Sequence, residues 1–204
     1  MKKILITQRC DKIDGRDETR DALDVRWAKI LFDLGFIPLP VCSELAGSIE
    51  YLEQLKPDGI LLSGGNDIGA APKRDQLEKE LLDYAKANNL PVLGVCRGMQ
   101  MLNNYYDGSL VEMAGHVGGS HLLTGEWAKK FGYQKVNSYH NHAVTAETLA
   151  QSLESLAITA DGVIEAVKHS TLPWIGIMWH PEREPTLNNA DKKLLVGHFN
   201  GFYI

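Results

Sequence analysis

The run Leu93-Gly94-Val95-Cys96-Arg97-Gly98-Met99-Gln100 sets a cysteine between a hydrophobic stretch and a helical one, with glycines two residues before it and two after. This is the thiol counterpart of the G-x-S-x-G elbow, where a nucleophile sits on a strained turn and small neighbours let strand and helix backbones pass closely. A helix N-terminus beneath the thiol offers free N–H groups and partial positive charge, which favour a thiolate and can hold an oxyanion. A cysteine after a buried strand is more often a small core residue. The paired glycines favour a nucleophile at Cys96, whereas Cys10 and Cys42 have no such setting.

A thiol nucleophile needs a base. Ile175-Gly176-Ile177-Met178-Trp179-His180-Pro181-Glu182 ends a hydrophobic strand in a histidine, with a carboxylate two residues on. Parallel-sheet proteins place their sites outside the carboxyl ends of strands. An imidazole at His180 can take the thiol proton and pass it to a leaving nitrogen, while Glu182 on the other ring nitrogen fixes tautomer and orientation. His-x-Glu alone is a common loop pattern; joined to the elbow it completes a Cys–His–Glu constellation.

No metal is expected. His140-Asn141-His142 and the pair His116 and His121 lack the neighbouring cysteine or carboxylate of a zinc site, and His169 and His198 read as surface or helix residues. No cofactor is expected either. Ser63-Gly64-Gly65 lacks the Lys-Ser/Thr of a P-loop and the continuation of a dinucleotide fingerprint. It reads instead as a loop bringing a backbone N–H close to a reacting carbonyl.

These residues need a scaffold. Lys3–Thr7 reads as a strand, followed by a polar loop rich in Asp and Arg, and then by a helix over Ala22–Leu34 with Val25, Ala28, Leu31 and Phe32 at apolar spacing before Gly35. Phe36–Val41 is an edge strand because Pro38 and Pro40 cannot donate to a ladder. A helix over Ile49–Leu55, a strand over Gly59–Leu62, a helix over Arg74–Asn88, a strand over Leu90–Val95 and a helix over Gly98–Tyr106 follow. In the longest helix Leu77, Leu81, Leu82 and Ala85 form one face, with Glu and Lys opposite. This order predicts a parallel sheet with helices on both faces. Asp107–Trp127 reads as a glycine-rich loop region with one short strand. Strands over Gln134–Ser138, Ser155–Ala160, Ile164–His169 and Ile175–Trp179 and a helix over Ala190–Asn200 complete the chain.

Composition sets the outer bounds. The chain has 204 residues, 44% hydrophobic and 23% charged, with a formal charge of -5. That excludes a disordered or collagen-like chain and gives no strongly basic footprint for nucleic acid. A single domain over residues 1–204 is expected. Three cysteines are too few, and odd in number, for a disulfide framework. The opening MKKILIT is too short for a signal-peptide core, and nothing later approaches a membrane span, so a cytoplasmic location is expected.

Leu62-Ser63-Gly64-Gly65, Gly94-Val95-Cys96-Arg97-Gly98-Met99-Gln100 and Trp179-His180-Pro181-Glu182, in this order, resemble the class I glutamine amidotransferase family. The resemblance implies a flavodoxin-like α/β fold, with a mostly parallel central sheet and a small antiparallel extension. It implies a triad of Cys96, His180 and Glu182 and an oxyanion hole from the backbone N–H groups of Gly65 and Arg97. Gln100 is implied in holding the glutamyl moiety, and the segment Asn137-Ser138-Tyr139-His140-Asn141 in binding its α-amino and α-carboxylate groups. Cys-Arg-Gly at the elbow and Ser-Tyr-His further on are similar to the γ-glutamyl hydrolase branch. The implied activity is hydrolysis of a γ-glutamyl amide through a thioester, releasing glutamate from a small-molecule substrate. Thr7-Gln8-Arg9 and Arg20-Asp21-Ala22-Leu23-Asp24 are similar to a sub-branch that accompanies bacterial surface-polysaccharide genes. A γ-glutamyl-aminobutyrate hydrolase and a glutaminase subunit feeding ammonia to a synthase partner are the alternatives, with oligomeric state left open.

A nucleotide phosphoramidate as leaving group would require phosphate donors. Arg9, Lys12, Arg16, Arg20 and Arg26 lie in the segment after the first strand, and guanidinium matches phosphate oxygens well. Arg9, nearest the strand end, is the best placed. The competing expectation is that these cations pair with Asp11, Asp14, Asp17, Glu18, Asp21 and Asp24 as a solvated mixed-charge surface.

Overall fold

Successive side chains of a strand point to opposite faces of its sheet. In Lys2–Ile6, Ile4 and Ile6 enter one apolar cluster and Leu5 another. A strand buried on both faces must be covered by helices on both. The computed structural model, which describes residues 1–202, is organised in this way.

The chain begins with β1 (Lys2–Ile6), a hairpin of β2 (Arg9–Lys12) and β3 (Thr19–Ala22), α1 (Val25–Asp33) and β4 (Phe36–Pro40). Next come α2 (Ile49–Leu55), β5 (Gly59–Leu62), α3 (Pro72–Asn88), β6 (Val92–Val95) and α4 (Arg97–Tyr105). The second half runs through β7 (Val111–Glu112), β8 (Val117–Leu122), α5 (Glu126–Phe131), β9 (Lys135–Tyr139) and β10 (His142–Ala143). It closes with β11 (Leu153–Ile158), β12 (Ile164–His169), β13 (Trp174–Ile177) and α6 (Asn189–Phe199).

The main sheet has seven strands in the order β11-β12-β13-β6-β5-β1-β4. The pairs from β13 to β4 are parallel, whereas β11 and β12 extend the sheet antiparallel. This is the α/β architecture the sequence predicts, with β4 at the edge as its prolines require. Residues of α1, α5 and α6 pack with Ile4, Leu61, Leu93, Val95 and Ile177 on one face. Residues of α2, α3 and α4 pack with Leu5, Ile60, Leu62 and Val92 on the other. No helix among the described residues is long and apolar enough to cross a membrane.

Two helices show how packing selects among local signals. In α1, Trp27 and Leu31 are buried while Val25 and Phe32 are 83% and 62% exposed, so the expected apolar face is only half correct. In α3, Leu77, Leu81, Leu82 and Ala85 are buried as expected, but Arg74 and Glu78 are buried with them. Burying each leucine contributes roughly 1.5–3 kcal/mol, whereas a buried ion pair contributes little net stability. The leucines therefore dock α3, and Arg74 and Glu78 are there for another reason.

The segment expected as a polar loop after β1 is instead the β2–β3 hairpin. The stretch expected to hold one short strand holds β7 and β8, and α5 follows where no helix was read. In the hairpin, the Cys10 N–H donates to Asn66 Oδ1 at 2.8 Å, and the Ser43 N–H to Asp21 Oδ2 at 2.7 Å. Side-chain attachments of this kind leave no apolar alternation in the sequence. Of the aromatics near these elements, Trp127 and Trp174 are buried, and Tyr105 and Tyr106 each lie 5.9 Å from the Trp174 ring. All four pack into the fold.

Candidate active site

Parallel pairing of β6 with β13 sets Val95 opposite Ile177, so the residues leaving both strands emerge side by side. The Cys96 N–H donates to the Ile177 carbonyl at 2.7 Å, extending the ladder one step past β6. Cys96 itself has φ 51°, outside the regions ordinary L residues favour, and caps the N-terminus of α4. A Cβ on Gly94 would fall 2.5 Å from the Gly98 carbonyl carbon, and one on Gly98 would fall 2.1 Å from the Leu62 carbonyl oxygen. Neither glycine has room for a side chain.

His180 follows β13. Its backbone N–H donates to Asn137 Oδ1 at 2.9 Å, while Asn137 Nδ2 donates back to the His180 carbonyl at 2.9 Å. The ring Nδ1–H donates to Glu182 Oε1 at 2.7 Å, which fixes the tautomer and leaves Nε2 for the neighbouring Cys96 thiol. Pro181–Arg183 form a single 3₁₀ turn that brings Glu182 back under the ring. Burial opposes the charged imidazolium, but Cys96 and Glu182 outweigh it and raise its pKa to about 9.

The loop after β5 borders the same site. Gly65 has φ 97°, and a Cβ on Gly64 would stand 2.7 Å from His180 Cε1. One terminal nitrogen of Arg74 donates to the carbonyls of Ser63 and Gly64, at 2.7 and 3.0 Å. Arg74 Nε donates to Glu78 at 2.9 Å, and the buried Arg97 side chain donates to Glu78 and Asp75. The chain thus turns the Arg97 guanidinium away from the nucleophile, while its N–H, at the first position of α4, has no intrahelical acceptor.

The remaining expected site residues divide into two groups. Tyr139 is 41% exposed and its ring meets that of His180 edge-on at 5.8 Å. Arg9 borders a cavity of about 290 Å³ together with Ser63, Gly64, Gly65, His180 and Arg183. Gln100 is buried on α4 and donates to the His142 carbonyl at 3.0 Å. The Ser138 hydroxyl is buried and donates to the His116 carbonyl at 2.6 Å, and His140 is buried, its ring turned towards Glu165. Ser138 and His140 therefore present no free side chain to the cavity.

Arg9 pairs with Asp11, Arg16 and Arg20 with Glu18, and Arg26 with Asp24, so the mixed-charge surface forms as the competing expectation had it. Arg183 was missed. Its guanidinium stacks 4.4 Å over the Tyr139 ring at the cavity wall. Its position next to Glu182 was the available signal. Arg74 was missed too, because a charge on an amphipathic helix reads as solvated.

A second polar cluster takes in His140 and none of Cys96, His180 and Glu182. His116, His121, His140 and Glu165 each direct a potential ligand atom into a common space, with those atoms within 4.8 Å of one another. The absence of a carboxylate near the histidines in sequence was the reason for expecting no metal. That reason fails, because β12 delivers Glu165 from a distant part of the chain.

The family model for glutamine amidotransferase class-I matches residues 33–195. A γ-glutamyl-CDP-amidate hydrolase of Campylobacter jejuni is 36% identical over 196 residues, covering 90% of this chain and 92% of that protein. The glutamine-hydrolysing GMP synthase subunit of Thermococcus kodakarensis is 28% identical, covering 70% of this chain and 76% of that protein. Among solved structures, a candidate GMP synthase subunit of Thermoplasma acidophilum superposes with TM-score 0.75 at 22% identity, covering 99% of this chain and 96% of that one. A Thermotoga maritima glutamine amidotransferase gives TM-score 0.66 at 16% identity, covering 88% and 76%. These two structures support the fold.

Proposed function

The chain belongs to the glutamine amidotransferase class-I family, and from that premise we propose that it hydrolyses the γ-glutamyl amide bond of a γ-glutamyl-CDP-amidate, releasing glutamate and cytidine diphosphoramidate. The observation that carries the reading is His180, held by Glu182 at 2.7 Å on one side and set beside Cys96 on the other. In this reading residues 1–204 act as one catalytic domain, on a small molecule and without a synthase partner. Three free cysteines suit the reducing cytoplasm.

The Cys96 thiolate attacks the γ-carbonyl carbon, and the electron pair moves onto the oxygen, an oxyanion to which the N–H groups of Gly65 and Arg97 donate hydrogen bonds. The imidazolium of His180 protonates the departing nitrogen as the C–N bond breaks, leaving a γ-glutamyl thioester. Neutral His180 then takes a proton from water, hydroxide adds to the thioester, and the thiolate leaves as glutamate forms. Glu182 stabilises the imidazolium throughout. Tyr139 and the backbone around it bind the glutamyl end.

The identity of the leaving group rests on the relative from Campylobacter jejuni and on two arginines at the cavity wall, Arg9 and Arg183. Glutamate release from γ-glutamyl-CDP-amidate, γ-glutamyl-aminobutyrate and glutamine, measured in parallel, tests the reading. A kcat/KM for the nucleotide at least a hundredfold above the other two supports it. Preference for the aminobutyrate conjugate, or weak activity on all three that a synthase stimulates, overturns it.

A further inference from the structure

We propose that His116, His121, His140 and Glu165 form a closed zinc site that ties the antiparallel β8–β9 pair and the residues flanking it to the antiparallel end of the main sheet. The buried His116 Nδ1, His121 Nε2, His140 Nε2 and both Glu165 oxygens have no hydrogen-bond partner among the described residues. Glu165 is 0% exposed. A carboxylate buried with neither oxygen hydrogen-bonded is costly unless a cation meets it.

Neighbouring groups aim the lone pairs. His116 Nε2–H donates to Asp161 Oδ2 at 2.9 Å, which leaves Nδ1 as the bare nitrogen facing Glu165. His140 Nδ1–H donates to the acceptor-only His142 carbonyl at 3.0 Å, which leaves Nε2 bare. A carboxylate on one histidine and a backbone carbonyl on another are the outer partners that metal-ligating histidines use. His140 Nε2 stands 3.4 Å and His116 Nδ1 3.8 Å from Glu165 Oε1. Ligands at ordinary zinc distances occupy tetrahedral corners roughly 3.3–3.5 Å apart.

The donor set selects the ion. Three imidazoles and one carboxylate, without a bundle of oxygens, suit zinc and not calcium or magnesium. Four protein ligands close the site, and Cys96, His180 and Glu182 are not among them. Its effect is positional. His116 also accepts, through its carbonyl, from the Ser138 hydroxyl at 2.6 Å and the His140 N–H at 3.0 Å. Asn137, which clamps His180, and Tyr139 lie on the same strand, so the ion would brace the strand that flanks the triad.

The test uses the full chain purified without a polyhistidine tag and exchanged into metal-free buffer. Elemental analysis should find about one zinc per chain in the wild type and in Cys96→Ala, and at least tenfold less in Glu165→Gln. Strong chelation should lower the wild-type Tm by roughly 8–16 °C, with recovery on adding zinc chloride. If Glu165→Gln does not fold, X-ray absorption on the zinc-loaded wild type decides, with three nitrogens and one oxygen at about 2.0–2.2 Å expected. Wild-type protein offered zinc that retains less than about a tenth of an equivalent would overturn the proposal and leave a proton-sharing His–Glu cluster. A sulfur ligand in the absorption spectrum, or loss of zinc in Cys96→Ala, would overturn it as well.

Discussion

Arg74 donates to the Gly64 carbonyl at 3.0 Å, and through that contact it sets the direction of the Gly65 N–H. The C=O and N–H of a trans peptide unit point opposite ways, so pinning the Gly64 oxygen towards α3 turns the Gly65 N–H away from α3, the direction the proposed oxyanion hole needs. In the proposed mechanism Arg74 is therefore a positioning residue, braced by Glu78, which Arg97 also engages. One buried charge chain thus reaches both expected oxyanion donors.

Replacing Arg74 should therefore lower kcat more than it raises KM. Arg74→Met should cost roughly 10–100-fold in kcat, since removing an oxyanion donor outright costs about 10²–10³. Steady-state kinetics with a Tm control checks this. An effect confined to stability would assign Arg74 to the core alone.

Cys96→Ala should abolish glutamate release while leaving Tm close to wild type, because the change removes one sulfur atom and keeps the backbone at the helix cap. His180→Ala should cost roughly 10⁴-fold or more, as nucleophile and base act as a unit. Trapping a γ-glutamyl thioester by rapid acid quench should succeed only where Cys96 is present.

The raised pKa of His180, about 9, sets an alkaline limit. In the proposed mechanism the imidazolium that protonates the leaving nitrogen is held below that pH and lost above it, so kcat/KM should fall as pH rises through about 9. Glu182→Gln removes one of the groups that raise the pKa. Its alkaline limb should move to lower pH, with a rate loss of roughly 10²-fold, smaller than for His180→Ala. A pH profile of kcat/KM for both proteins measures the shift.

Arg183→Ala should raise KM for the nucleotide substrate by roughly 10–100-fold, the scale of one charge-assisted hydrogen bond, and leave glutamine hydrolysis nearly unchanged. Arg9→Ala should act in the same direction, and more weakly, because Asp11 already engages its guanidinium at 2.7 Å. Equal effects on both substrates would place these arginines outside leaving-group recognition.

His198 gives a stability prediction. Burial depresses its imidazole to about 4, partly offset by the Nε2–H bond to the Val92 carbonyl at 2.9 Å. Its folded pKa lies below the unfolded value of 6.5, so its contribution is complete above pH 6.5 and is lost as pH falls towards 4. The loss amounts to at most about 3 kcal/mol. Denaturation series from pH 7 to 4.5 should show a shallower decline for His198→Gln than for the wild type.

Much of this was legible in the chain. Gly94 and Gly98 announced the elbow because only glycine tolerates the Gly98 backbone against the first and the Leu62 carbonyl against the second. Gly59–Leu62 and Ile164–His169 are strands with the predicted bounds, the first from its short apolar run and the second from the Asp161-Gly162 turn that precedes it, both local properties. What escaped depends on partners distant in sequence. The His–Glu cluster draws on residues from 116 to 165, the hairpin on Asn66 and Ser43, and Arg74 on the carbonyls of another loop. Local spacing carries no record of such meetings. The face of α1 was misread for a related reason: Val25 and Phe32 look as apolar as Leu31, and only the sheet decides which of them is covered.

The β2–β3 hairpin hangs from the body of the protein by the Cys10–Asn66 and Asp21–Ser43 hydrogen bonds, and neither includes a residue of the triad. Yet its first residue, Arg9, reaches the cavity wall. Under the proposed function, bond cleavage and choice of leaving group are thereby carried on separately anchored lengths of chain. Descendants of one gene could vary the base of that hairpin, at Arg9 and Ala22, and acquire new amides to cut without relearning how to cut them.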